Sequence, residues 1–178
     1  MKFFIGSIFI TLLLTGCSSM KPQNFKESQQ KLNLFDYFEG ATSAWGIFED
    51  RFGNIRRQFQ VDIKGTIEND ILILNEKFLY DDGEKDQRIW RIRKTGDQIF
   101  EGTADDVIGT AKGIVQGNAL HWEYFLNLRV GKRTYKVHFD DWMFLQPDGV
   151  LINKARLSKL GIEIGNVILF FKKPSNDA

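Results

Sequence analysis

From Leu120 to Val130 every even-numbered residue is apolar (Leu120, Trp122, Tyr124, Leu126, Leu128, Val130). Between them stand His121, Glu123, Asn127 and Arg129, with Phe125 the one exception. Successive side chains of a strand point to opposite faces, whereas a helix brings a residue back to the same face only every three to four positions. An alternation of this length therefore predicts a strand with one wet and one dry face. Ile55–Ile67 repeats the pattern, with Phe59, Val61, Ile63 and Ile67 on one side and Gln58, Gln60, Asp62 and Lys64 on the other. Turn signals punctuate the chain at strand spacing: Gly53-Asn54, Asn69-Asp70, Asp82-Gly83, Gly96-Asp97, Gly117-Asn118, Gly131-Lys132, Asp148-Gly149 and Gly161.

This punctuation divides the chain into about ten strands. Composition agrees: 16 Phe, 4 Trp, 4 Tyr and 16 Gly against 3 Pro suit strands and turns rather than a helical bundle. Many hairpin-linked strands leave exposed edges unless the sheet closes, so the expected architecture is all-β, an antiparallel meander closed into a barrel. A β-sandwich has the same periodicities and stays open as the alternative. In Arg133–Phe144 the apolar phase changes from Tyr135, Val137 and Phe139 to Trp142 and Phe144, which predicts a β-bulge at Asp140-Asp141. Ile162–Lys172 is apolar on both faces.

The amino terminus is a different kind of sequence. Lys2 precedes a short apolar run, Phe3 to Leu14, too short for a bilayer-spanning helix of roughly 20 residues and suited to a signal peptide. It ends in Leu14-Thr15-Gly16-Cys17, which resembles the bacterial lipobox. That resemblance implies cleavage before Cys17 and acylation of this cysteine, and Ser18 after it implies sorting to the outer membrane, facing the periplasm. The expected organisation is a signal peptide over 1–16, acylated Cys17 with a flexible polar tether through 31, one β-domain over 32–173, and a short tail over 174–178. Cys17 is the only cysteine, so no intramolecular disulfide forms. With 24 Lys plus Arg against 23 Asp plus Glu, no net field favours nucleic acid.

Two family resemblances follow from particular motifs. Leu34-Phe35-Asp36-Tyr37-Phe38-Glu39-Gly40, followed by Trp45-Gly46, is similar to the start of lipocalin-like (calycin) barrels, with a wider Gly-to-Trp spacing. That similarity implies a barrel able to enclose one small ligand. A second set comprises Trp45-Gly46, Asp82-Gly83-Glu84, Arg88-x-Trp90, Gly102-x-Ala104-Asp105-Asp106-Val107-x-Gly109, Asp140-Asp141-Trp142-Met143 and Asn153-x-Ala155. With the lipobox, it resembles a family of Gram-negative lipoproteins catalogued only as a domain of unknown function. This second resemblance carries no assigned site residues.

Candidate sites are few, and each has a structural reading beside the chemical one. Asp140 and Asp141, with His138 two residues earlier, offer an acid–base set if a bulge turns one carboxylate inward; the competing reading is an ion pair at that bulge. Arg88 could grip a carboxylate bidentately or simply belong to a solvated strand face with Arg91, Arg93 and Lys94. Trp45, Trp90, Trp122 and Tyr124 are candidate ligand-binding aromatics. Asp81, Asp82 and Glu84 lack the spacing of a calcium loop. The only histidines are His121 and His138, and their spacing suits no zinc site, so neither a metal nor a cofactor is expected. Gly102–Gly113 matches no phosphate-binding loop.

The expected function is a membrane-anchored lipoprotein binding a lipid or other apolar small molecule, with Phe59, Val61, Ile63, Trp122, Tyr124, Leu126, Ile168 and Phe170 lining or filling the barrel. Two alternatives stand beside it: a lipid-acting isomerase or hydratase using Asp140 or Asp141 with His138, and a structural envelope lipoprotein docked on a protein partner.

Overall fold

The computed structural model describes residues 20–174; the expected signal peptide, Cys17 and the last four residues lie outside them. Ten strands run in chain order: β1 (Gly40–Asp50), β2 (Ile55–Glu68), β3 (Ile71–Tyr80), β4 (Lys85–Gly96), β5 (Ile99–Thr103), β6 (Val107–Gln116), β7 (Ala119–Val130), β8 (Arg133–Leu145), β9 (Leu151–Lys159) and β10 (Ile162–Lys172). Each pairs antiparallel with the next, and β10 pairs with β1 through Trp45↔Phe170 and Ile47↔Ile168, closing the barrel. Closure leaves no free edge strand, and only beside the short β5 does part of β4, Lys85–Trp90, lack a second neighbour. The meander expected from the alternation is therefore the fold.

The alternating faces dictate the interior. Val61 and Ile63 of β2, Leu72 and Leu74 of β3, Leu120 to Leu126 at even positions of β7, and Leu151 to Leu157 at odd positions of β9 all point inward and are buried. One end is plugged by α1 (Leu34–Phe38), whose amino terminus is capped by the Asn33 side chain accepting from the backbone of Phe35 and Asp36. Leu34, Tyr37 and Phe38 are buried under the strands, and the Tyr37 hydroxyl donates to the Gly149 and Phe171 carbonyls at 3.0 and 3.3 Å. The plug sits close. A Cβ at Gly65 would lie 1.8 Å from the Phe38 carbonyl oxygen, so only glycine fits there. At the opposite end the turns after β1, β3, β5, β7 and β9 surround an open mouth.

Two expectations fail here for one reason. β8 pairs without interruption from Val130↔Arg133 to Ala119↔Phe144, so no bulge exists at Asp140-Asp141. The inward phase simply continues through Val137, Phe139, Asp141 and Met143. Trp142 and Phe144 point outward, and Trp142 is buried because the amino-terminal segment covers that patch of wall. A short 3-10 turn, Pro22–Phe25, lays the Phe25 ring 5.9 Å from Trp142 and 5.3 Å from Phe144. The segment expected to be a free tether is thus, from residue 20 onward, docked on the outside of the barrel. It continues to Leu32, whose amide donates to the Gly117 carbonyl at 2.8 Å, in the β6–β7 turn at the plugged end.

Candidate functional site

A continuous cavity of about 530 Å3 runs inside the barrel from the α1 plug to the open mouth. Its plugged half is apolar, walled by Leu34, Phe38, Ile63, Leu74, Ile92 and Leu120. Four aromatic rings stand at mid-height. Trp90 meets Trp122 at 6.1 Å and Tyr124 at 5.4 Å, both edge-on, and Tyr124 stacks on Phe139 at 4.9 Å. Trp122 fits because β5 and β6 carry glycines beneath it. A Cβ at Gly113 would lie 1.8 Å from the indole, and one at Gly102 would lie 2.6 Å away.

Among these rings sit five polar residues on five strands: Glu76 (β3), Arg88 (β4), Tyr124 (β7), Asp141 (β8) and Asn153 (β9). Each occupies an inward position of an otherwise apolar phase, as Glu76 does between Leu74 and Phe78. Glu76 and Arg88 are directly paired across β3 and β4. The guanidinium is nonetheless committed elsewhere: Arg88 donates to Asp106, in the β5–β6 turn, from Nε at 3.0 Å and from its terminal nitrogen at 2.7 Å. Such two-point geometry is the strong form of this contact. Asp141 accepts from the Asn153 amide, and the same Asn153 amide donates to the Trp142 carbonyl at 3.1 Å.

Burial governs the protonation of these groups. It pushes the Glu76 carboxyl up to about 7, against the lowering pull of Arg88, with Asp106 and Asp141 adding to the rise. Asp141 is likewise pushed to about 7 by burial, with Asn153 and Tyr124 resisting and Asp140 assisting. Burial also raises Tyr124 well above the ordinary phenol range. For Arg88 burial alone would lower the pKa, but Glu76 and Asp106 outweigh it and hold the guanidinium charged. Near neutrality the mid-height belt thus contains one cation already bound by Asp106 and two carboxyls poised between their acid and ionised forms, while Arg56, Arg57 and Arg129 line the mouth.

The residues expected from sequence fall on both sides of the wall. Trp90, Trp122, Tyr124, Arg88 and Asp141 reach the cavity. Trp45 does not: it projects outward, 46% exposed, opposite Phe170 of β10. Ile168 and Phe170 share that outer face, and Val167, Leu169 and Phe171 line the cavity in their place. His138 and Asp140 are also outside, separated from Asp141 by the sheet itself. Asp140 accepts from His121 at 2.9 Å, Arg156 at 2.6 Å and the Trp142 indole at 3.1 Å. His121 and Arg156 hold its carboxyl below the ordinary range despite partial burial. His138 instead lies against Phe125 and 4.0 Å from Glu123. The Asp140–His138 acid–base pair is not assembled. His121, Glu123 and Asp140 do converge on the outer wall, but Arg156 already supplies the cation for that carboxylate.

Glu76, Asp106 and Asn153 were not among the sequence candidates. The signal for Glu76 and Asn153 was available in principle: a polar residue standing in the apolar phase of a strand. Asp106 had none, because its role depends on a turn meeting a strand two neighbours away.

A closed ten-stranded meander with a helical plug at one end and an internal cavity is a lipocalin-like barrel. The chain belongs to the family described as "Protein of unknown function (DUF3833)", whose sequence profile matches residues 11–173. No curated protein shows significant sequence similarity to it. Among solved structures it is similar to the S-type phycobiliprotein lyase CPES from Guillardia theta, with a TM-score of 0.54 at 8% identity over 79% of this chain and 92% of that one. At that identity the likeness concerns the fold alone.

Proposed function

We propose that this protein is an envelope lipoprotein, anchored through Cys17 to the periplasmic face of the outer membrane, that holds one lipid-like amphiphile in its barrel. The observation that carries the reading is the cavity itself. A volume of about 530 Å3 falls within the roughly 300–1,000 Å3 of small-molecule sites, and apolar walls with a few convergent polar groups are what such sites use. The apolar plugged half suits an acyl chain or other hydrocarbon body. The polar belt favours a head group that donates hydrogen bonds, such as an alcohol, amide or amine. It disfavours a free carboxylate, because Arg88 is already bound to Asp106 while Glu76 and Asp141 present two acids. The membrane anchor rests on the sequence of residues 1–17. An acid–base enzyme built on Asp140 and His138 has no support, since those side chains never meet inside the barrel.

The test is native mass spectrometry and solvent extraction of the periplasmically expressed barrel, followed by displacement of a fluorescent acyl probe. Palmitate, hexadecanol and hexadecylamine serve as competitors. Displacement by the alcohol or amine at lower concentration than palmitate is the expected result. A barrel that takes up no probe and carries nothing from the cell refutes the ligand reading.

A further inference from the structure

The turns at the open mouth divide by chemistry into two halves. Residues 51–56, 129–133 and 159–162, the turns after β1, β7 and β9, are neighbours around the barrel because β10 closes on β1. Within those three stretches stand Arg51, Arg56, Arg129, Lys132, Arg133 and Lys159 without an acid; Arg56 is held by Asp50 at the end of β1 at 2.6 Å, which leaves five cations. The other two turns, residues 81–86 and 104–106, hold six acids (Asp81, Asp82, Glu84, Asp86, Asp105 and Asp106) and one cation, Lys85; even with Arg57 on Asp82 and Glu84 and Arg88 on Asp106, acid remains in excess. Net neutrality of the chain conceals this separation.

The basic half also carries exposed large apolar side chains at its tips. Leu160 is 93% exposed, Phe52 74%, Ile162 60% and Val130 57%. Leu160 is the hardest to explain by folding. It stands in the β9–β10 turn at φ 52°, in the left-handed region that favours glycine or asparagine, and its side chain gains nothing from the fold. A bulky apolar residue held in a costly conformation and presented to water points to something outside the molecule.

From this juxtaposition we infer that the basic half of the rim docks on an anionic lipid bilayer, with Phe52, Val130, Leu160 and Ile162 entering the interface. Apolar tips among arginines and lysines match the two attractions that a charged bilayer offers, hydrocarbon burial and headgroup charge. The acidic half would be repelled, so the barrel tilts and one side of its mouth meets the lipid. The amino-terminal segment, from residue 20 onward, packs towards the plugged end and leaves this rim uncovered.

The barrel with its docked segment, residues 20–178, is a unit complete in itself, since every strand is paired within it. Its sedimentation with vesicles of pure phosphatidylcholine is compared with that on vesicles in which a third of the lipid is phosphatidylglycerol. Binding is expected only to the anionic vesicles, falling as salt rises. Leu160→Asn and Phe52→Ser should each lower the partition coefficient by about tenfold, and Arg133→Gln by roughly fivefold. Leu160→Asn also separates docking from structure: asparagine accepts the left-handed turn, so its thermal stability should hold or rise while vesicle binding falls. Equal binding to both vesicles, or wild-type binding by Leu160→Asn, overturns the proposal. So does a concentration-dependent dimer that dissociates in Leu160→Asn and leaves vesicle binding absent, which would assign the patch to a second copy of the chain.

Discussion

The stability of this barrel should fall as pH rises from about 5 to about 8, the reverse of what salt-bridged carboxylates produce. Glu76 and Asp141 are the cause. Their carboxyls titrate at about 7 in the folded chain, against ordinary values of 4.5 and 3.8. Between those limits the folded state keeps protons that the unfolded state has released, so raising the pH favours unfolding. The stability is fully present below about pH 4 and gone above about pH 8. One pKa unit corresponds to about 1.4 kcal/mol, so the rise at Glu76 from 4.5 to about 7 amounts to at most about 3.5 kcal/mol. Solvent access from the cavity reduces this to about 1–3 kcal/mol, with a similar contribution from Asp141. Asp50 and Asp140, whose carboxyls are held low, act with the opposite sign, but only at pH values below the ordinary aspartate range. Urea unfolding at about pH 5 and about pH 8 measures the slope directly. In Glu76→Gln the loss across that window should shrink by the Glu76 share, leaving the variant more stable than wild type at the higher pH. A wild-type barrel equally stable at both, or a Glu76→Gln variant with the full wild-type slope, would refute the reasoning.

Two further outcomes follow from packing. Gly113→Ala places a methyl 1.8 Å from the Trp122 indole, so the ring must leave its seat; about 2 kcal/mol or more of stability should be lost, with a weakened near-ultraviolet circular dichroism signal. Phe25→Ala uncovers Trp142 on the outer wall and should cost about 1–2 kcal/mol, visible in urea unfolding and as a red shift in tryptophan emission.

The fold was legible because its cause is local. Period-two alternation in β2 and β7, interrupted by Gly, Asn and Asp turns, reads as about ten antiparallel strands; closure into a barrel was the expected arrangement, and the structure decides it against a β-sandwich. The site was legible only where side-chain phase settles direction: Trp90, Trp122 and Tyr124 follow their strands inward, and Arg88 follows Trp90. Trp45 and Phe170 misled because β1 and β10 are apolar on both faces, so hydrophobicity alone does not distinguish wall from lining. The phase change in β8 misled for a non-local reason. Trp142 is apolar because Phe25, more than a hundred residues earlier in the chain, comes to cover it. Asp140 was drawn towards His138 by proximity in sequence, while the sheet gave it His121 from the neighbouring strand.

The short β5 has a consequence for the barrel's kinetics. It pairs with β4 only from Arg91 to Gly96, so Lys85–Trp90 are bonded to β3 on one side and to no strand on the other. Across that seam the Arg88–Asp106 pair fastens β4 to the β5–β6 turn beside the polar belt. Unfastening it breaks no strand pairing, whereas widening the wall anywhere else would unzip a ladder. The least costly fluctuation of this closed molecule is therefore sideways, at mid-height. How often this part of the wall opens is then set by one ion pair rather than by a strand ladder.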